Sequence, residues 1–385
     1  MMDIGLGNGF RNKFAEAIAK KDISLAREYM QTFYSSMFLI AASIFLIFLC
    51  INPFLNWGHI LNVSKSFNDN LNLIVLVVMG LFCLQLFLKN ITTVLLALQR
   101  TSESNFIIFL GNVLALIGIY VYGRFCHSSL MSISVIFMLS PIIVFLISTV
   151  YYFKIYLGHL LPAGVYIKKV HLSNLLNLGI KFFLIQITTV VMFSSDSLII
   201  TQLFGPKYVT PYNIAYRLFA ATLTGFTIIM TPFWTAFTEA NTKDDKAWIN
   251  NSLKKLVYLW VAFSCMVLVL LYFSPFIYNI WVGNKVMITM ALSAQFAILA
   301  ILLSWNGIFS QYLNGIGKIK FQLYVGLFQC VINIPLAILL AKYMNMGLMG
   351  IVLATNLCLI VSGILLPIQT SKILNNKNLY GIWSK

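Results

Sequence analysis

Residues 72–97 read NLIVLVVMGLFCLQLFLKNITTVLLA, and Lys89 is the single charged side chain in that stretch. A hydrocarbon core about 30 Å thick is crossed by roughly 20 helical residues rising 1.5 Å each, so the run predicts a membrane-spanning helix. Working outward, comparable runs fall at 33–51, 105–123, 130–153, 178–203, 212–236, 253–281, 288–310, 321–341 and 347–368. The run that ends near Trp281 contains Pro275, where a bend is expected. Hydrophobic residues make up 60% of the 385 and charged residues 9%, with a mean hydropathy of +0.89, whereas about a quarter of a soluble domain is charged. Backbone polar groups in lipid must be paired within the segment, and these runs far exceed the roughly 10-residue alternating strands of a membrane barrel. The fold class is therefore an all-α integral membrane protein of about ten transmembrane helices.

Formal charge is +16, from 26 Lys and Arg against 10 Asp and Glu. Ten spans put both termini on one side, and sorting the basic residues by loop gives 20 on that side against 6 on the other. The six are Lys65, Arg124, Lys207, Arg217, Lys285 and Lys342. The positive-inside rule then predicts cytoplasmic termini and accounts for the basic excess without a nucleic-acid partner. Residues 1–30 hold no continuous apolar stretch of the kind found in a signal peptide. The six cysteines lie in or beside apolar runs without paired spacing, and the histidines are scattered at 59, 127, 159 and 171. The longest external loop, near 52–71, has Asp69 as its sole acid. Nothing here outlines a metal site, a cofactor site or an enzyme's acid–base constellation.

FRNKFAEAIAKKD (10–22) aligns without a gap on FWTAFTEANTKDD (233–245), agreeing at Phe10/Phe233, Phe14/Phe237, Glu16/Glu239, Ala17/Ala240, Lys20/Lys243 and Asp22/Asp245. Each copy leads through a polar decade into a span, which predicts a parallel repeat of whole helical bundles. Two spans precede the second copy and none the first, so the repeat predicts a first lobe short of two helices, for which roughly 50 residues would suffice. The expected organisation is a cytoplasmic amphipathic segment (1–30), a four-span lobe (31–160), a linker (161–171) and a six-span lobe (172–385). Apolar Phe10, Phe14, Ile18, Leu25 and Tyr29 share one face of the first segment, which predicts a surface helix with a polar break at Lys20 to Asp22.

DIGLGNGFRNKFAEAIAKKD (3–22), FFLIQITTVVMFSSDSLIITQLFGP (182–206), VTPYNIAYRLF (209–219) and IIMTPFWTAFTEA (228–240) resemble segments of the bacterial oligosaccharide and O-antigen flippases. These belong to the multidrug/oligosaccharidyl-lipid/polysaccharide exporter superfamily, and the likeness runs the length of the chain. It implies a V-shaped pair of lobes around a cavity that opens to either face in turn. The implied cargo is an undecaprenyl-pyrophosphate-linked oligosaccharide, with membrane lipids as surroundings and H+ or Na+ as the coupling ion. The absent helix pair departs from the family plan. A small-cation antiporter of the multidrug branch and an inactive truncated form are the alternatives.

Asp196 is the one acidic residue well inside a span, where a charge costs at least a few kcal/mol and therefore faces a partner or a water-filled cavity. Arg217 lies at similar depth across the Gly205–Pro206 turn, both side chains about eight helical residues below it, or about 12 Å at 1.5 Å per residue. Two readings follow: the residues form a structural ion pair, or Arg217 offers its planar, permanently charged guanidinium to a pyrophosphate. Gln186, Thr189 and Ser197 add polarity along the helix of Asp196. Lys89 either lines a cavity or snorkels to the interface. Tyr212 and Tyr216, with Trp57, Trp281 and Trp383, are expected in interfacial belts, with sugar stacking open to a cavity tyrosine such as Tyr216. Pro211, Pro232, Pro275, Pro335 and Pro367 mark places where helices can bend.

Overall fold

Two aspartates set the register of the molecule. Asp22 accepts a hydrogen bond from the Leu25 amide (3.0 Å), and Asp245 accepts one from the Trp248 amide (2.9 Å), each satisfying a first-turn N–H that the new helix leaves open. The residue before each aspartate adopts the left-handed conformation, at φ 58° for Lys21 and 53° for Asp244. Each turn thus reverses the chain in the same way. Glu16 pairs with Lys20 just before one turn and Glu239 with Lys243 just before the other.

The computed structural model describes residues 5–55, 57, 70–125, 129–161, 167–283 and 286–375. Lys65, Asp69, Cys126, Lys285, Lys377, Trp383 and Lys385 lie outside the described residues, as do His59 and His127. Twelve helices occur among the described residues. They are α1 (Leu6–Ala19), α2 (Ile23–Ile51), α3 (Leu71–Leu88), α4 (Asn90–Ala97), α5 (Thr101–Phe125) and α6 (Leu130–Ile155), then α7 (Lys169–Leu203), α8 (Val209–Thr242), α9 (Lys246–Val282), α10 (Met290–Gly315), α11 (Lys320–Ile338) and α12 (Leu348–Leu374). With α3 and α4 taken as one span and α1 set aside, ten are long and apolar enough to cross a membrane, as the run lengths predict. α9 runs unbroken through Pro275, whereas the 72–97 run divides at Lys89. A π-helical turn, Leu339–Tyr343, follows α11.

The helices form two units, Met1–Ile180 and Lys181–Lys385, and the division falls inside α7. In the first unit α1 packs on α2 and α4, α2 on α3, α3 on α6, and α5 on α6. In the second α8 packs on α9 and α10, α9 on α10, α10 on α12, and α11 on α12. The adjacency is the same in both. The repeat persists to side-chain level: Ala26, Met30 and Phe33 face inward from α2, and Ile249, Leu253 and Leu256 occupy the same register of α9. Phe10 stacks on Phe33 at 4.2 Å in one core, while Phe237 meets Tyr312 edge-on at 5.4 Å in the other.

One expectation fails at α1, which is no surface helix. Leu6, Phe10, Phe14 and Ala17 are buried, and so are the polar Arg11 and Asn12. Much of the side of α1 opposite its apolar face is covered because glycine lets it approach α7, leaving Lys13 and Glu16 partly exposed. A methyl on Gly9 would sit 2.3 Å from the Leu175 carbonyl oxygen, and one on Gly179 3.0 Å from that of Gly5. In the second unit the end of α8 approaches α10 similarly, with Thr238 donating to the Gly315 carbonyl at 2.8 Å.

Candidate functional site

Gly205, at φ 97°, supplies the left-handed residue that closes the short turn from α7 to α8. Below the turn, Asp196 is 2% exposed, and the Tyr212 hydroxyl donates to its Oδ2 at 2.6 Å. Oδ1 of Asp196 makes no hydrogen bond. The Tyr212 ring stands edge-on to Phe296 of α10 at 5.0 Å, and Tyr216 meets the same ring at 5.9 Å. Tyr212 is therefore a partner of the intramembrane carboxyl and not an interfacial anchor.

Arg217 is exposed and makes no ion pair with Asp196. Similar depth does not fix direction: five residues beyond Tyr212 at about 100° each place Arg217 roughly 140° round the helix from the face that meets Asp196. The structural ion pair is thus absent. Arg217 stands instead in a stripe with Thr210, Asn213, Thr224, Thr227 and Thr231, spaced at three-, four- and seven-residue intervals along one side of α8. The buried side carries Tyr212, Ala215, Phe219, Phe226 and Met230. Thr224, Thr227 and Thr231 donate to carbonyls of their own helix, a low-cost way to hold hydroxyls at membrane depth while their lone pairs face outward.

Gln186 lies ten residues before Asp196 on α7, about 15 Å along the axis, and its Oε1 is buried without a partner. Tyr216 is 38% exposed. The second unit thus sets Tyr212 and Tyr216 against Phe296 and Asp196 against Tyr212, with Arg217 on another side of α8 and Gln186 further down. Lys89 belongs to the first unit, exposed at the α3–α4 break.

Sequence reasoning missed the amides. A cavity of about 140 Å³ lies between α7, α10, α11 and α12. Asn306 Nδ2 donates to the carbonyls of Leu302 (2.9 Å) and Leu359 (3.0 Å), and Gln329 Nε2 to that of Cys358 (2.6 Å). Asn306 Oδ1 and Gln322 Oε1 are left without partners. The Asn306 amide spends both N–H groups on backbone, so Asn306 Oδ1 and Gln322 Oε1 stand as open acceptors in this wall and suit a species that brings donors or positive charge. Isolated Asn and Gln in apolar runs were the visible signal; their pairing across helices was not. Among the described residues no group of three or more His, Cys, Asp or Glu converges to hold a metal.

Residues 182–339 match the MatE family model. No curated protein matches the chain. An outward-facing multidrug resistance MATE family transporter of the MOP superfamily superposes with a TM-score of 0.78 at 15% identity, covering 97% of this chain and 84% of that one. A MATE structure in complex with MaD3S gives 0.80 at 15%, covering 97% and 85%. A MOP superfamily transporter from Pyrococcus furiosus, described as having a binding pocket of reverse polarity that suggests a different function, gives 0.75 at 13%, covering 97% and 84%. The chain therefore has the two-lobed helical fold of the MATE transporters, with a MatE-type domain over residues 182–339.

Proposed function

We propose that this protein is a transporter that moves an anionic, lipid-linked oligosaccharide across the bacterial inner membrane, with both termini cytoplasmic. One observation carries the anionic cargo: Arg217 stands exposed in a polar stripe at membrane depth, while Asp196 is buried and held by Tyr212. A guanidinium there favours a pyrophosphate, and a buried, bonded carboxyl is not presented to a cationic drug. Lys89, exposed on its own unit, adds to the basic character. The Pyrococcus furiosus structure supplies a precedent within the fold for a pocket whose polarity is reversed. Asp196 Oδ1 and the open amide oxygens of the cavity fit the coupling step better, since unpartnered acceptors suit a proton or Na+.

The second reading is export of small cations. Similarity favours it over the lipid-linked cargo, because the matched solved structures include multidrug transporters. The two readings separate at Arg217. Under the first, Arg217→Ala in the native gene abolishes surface polysaccharide at unchanged protein level, and Arg217→Lys keeps part of it because charge survives without the bidentate geometry. Under the second, both variants expel a cationic dye from cells as fast as the parent. Normal polysaccharide with Arg217→Ala would overturn the anionic-cargo reading.

A further inference from the structure

At the end of the second unit away from the Asp245 turn, α8, α10 and α12 begin around one depression of about 790 Å³, within the roughly 300–1,000 Å³ of small-molecule sites. Its wall is apolar and rich in methionine, with Met287, Met346 and Met349 from two loops and a helix start. Met287 is 94% exposed, a large cost for a thioether side chain in water and none in the acyl region of a bilayer. Lys207 and Tyr208 stand at the rim, both exposed. Among the described residues, Lys207 makes no ion pair and no acidic residue lines the depression.

We propose that this depression binds an anionic phospholipid of the surrounding bilayer, its phosphate at Lys207 and its chain along the three methionines. Lys207 is one of the six basic residues that the loop sorting assigns to the non-cytoplasmic side, where the positive-inside rule disfavours cations. It lies outside the spans flanking it, so snorkelling does not account for it. Glu239, Asp244 and Asp245, the other described acids of the unit, are at the opposite end, and Asp196 is buried against Tyr212. The local field is thus uncompensated and positive beside an apolar wall, which matches an amphiphile with a negative head. Methionine's unbranched, polarizable side chain adapts to chains of different length. The first turns of α8 and α12 lack side-chain caps and add N–H donors to the wall. This lipid site is independent of the cargo.

The full chain is reconstituted in phosphatidylcholine vesicles containing phosphatidylglycerol with a diazirine in its acyl chain, then irradiated and mapped by peptide mass spectrometry. Adducts should concentrate on peptides carrying Met287, Met346 and Met349. Lys207→Glu should lower them at least five-fold without changing adducts on the rest of the apolar belt, which also reports that the variant is folded. Diazirine-labelled phosphatidylcholine should label the depression only to the Lys207→Glu level. Equal labelling by the two lipids, or labelling indifferent to Lys207→Glu, would overturn the proposal. In cells, benzoylphenylalanine in place of Met287 should give lipid-mass adducts. A reproducible adduct of protein mass would assign the surface to a protein partner instead.

Discussion

Tyr212→Phe removes one hydroxyl and nothing else that the structure uses: the ring keeps its edge-on contact with Phe296 at 5.0 Å, and only the 2.6 Å bond to Asp196 Oδ2 is lost. Because Oδ1 already lacks a partner, the substitution leaves the Asp196 carboxyl with no hydrogen bond from the protein. Hydrogen bonds to charged groups contribute about 1.5–3 kcal/mol in water-soluble proteins, but side-chain pairs within a membrane average about 0.6 and reach about 1.7. The 2% exposure of Asp196 favours the upper part of the membrane range, so a coupling of about 1–1.7 kcal/mol is expected. A double-mutant cycle isolates it: Tyr212→Phe, Asp196→Leu and both together are purified in one detergent and compared by unfolding midpoint. Asp196→Leu removes the acceptor along with the buried carboxyl, so the added loss of the Tyr212 hydroxyl should cost less in that background than in the parent. Strict additivity, with coupling under about 0.3 kcal/mol, would refute the claim that Tyr212 is the partner of Asp196.

Asp22→Ala and Asp245→Ala should each cost about 1 kcal/mol, the usual loss for an N-cap, and their unfolding midpoints should fall by similar amounts because the two caps have the same geometry. Gly9→Ala should sharply reduce folded protein in size-exclusion profiles, since its methyl meets backbone at 2.3 Å, whereas Gly225→Ala, with open space around it, should not. Burial raises the Glu16 carboxyl, but its bonds with Lys20 and Lys13 outweigh that and hold it below the usual glutamate range. Its stabilisation is therefore present above about pH 4.3, the unfolded value, and is lost as pH falls through the lower folded value. Glu16→Gln should flatten the acid limb of a stability profile there by less than about 1 kcal/mol, because the pair is partly exposed.

The number and placement of the spans were legible because a hydrocarbon slab imposes one length on every crossing helix, and ten apolar runs announce themselves regardless of partners. The repeat was legible for a related reason. Phe14 and Phe237, or Asp22 and Asp245, do local work in a helix–turn–helix unit, so similar residues recur at the same spacing. α1 was misread where a tertiary contact decided the outcome. Its periodic apolar face is that of a surface helix, and Gly9 with Gly179 marks the second interface, a signal that becomes readable only once the two are known to lie at one contact.

The Asp196 neighbourhood shows why site residues are harder to read than spans. Counting from the turn gave depth, one coordinate of three, and at equal depth the tempting partner for a carboxylate was the guanidinium of Arg217. The angle about the helix axis decides between them. Tyr212 falls on the side of α8 that bears Phe219 and Phe226 and packs inward, while Arg217 falls with Asn213 and Thr224 on the polar side. The separation of the two groups is itself functional under the transport reading. A carboxylate paired with Arg217 would neutralise the charge needed for a pyrophosphate, whereas Tyr212 holds Asp196 without consuming any positive charge. Under that reading, one hairpin would hold an anion-attracting side chain and a proton- or ion-responsive carboxyl within a few turns of each other. The 140° or so between Tyr212 and Arg217 about the axis of α8 is what keeps them apart.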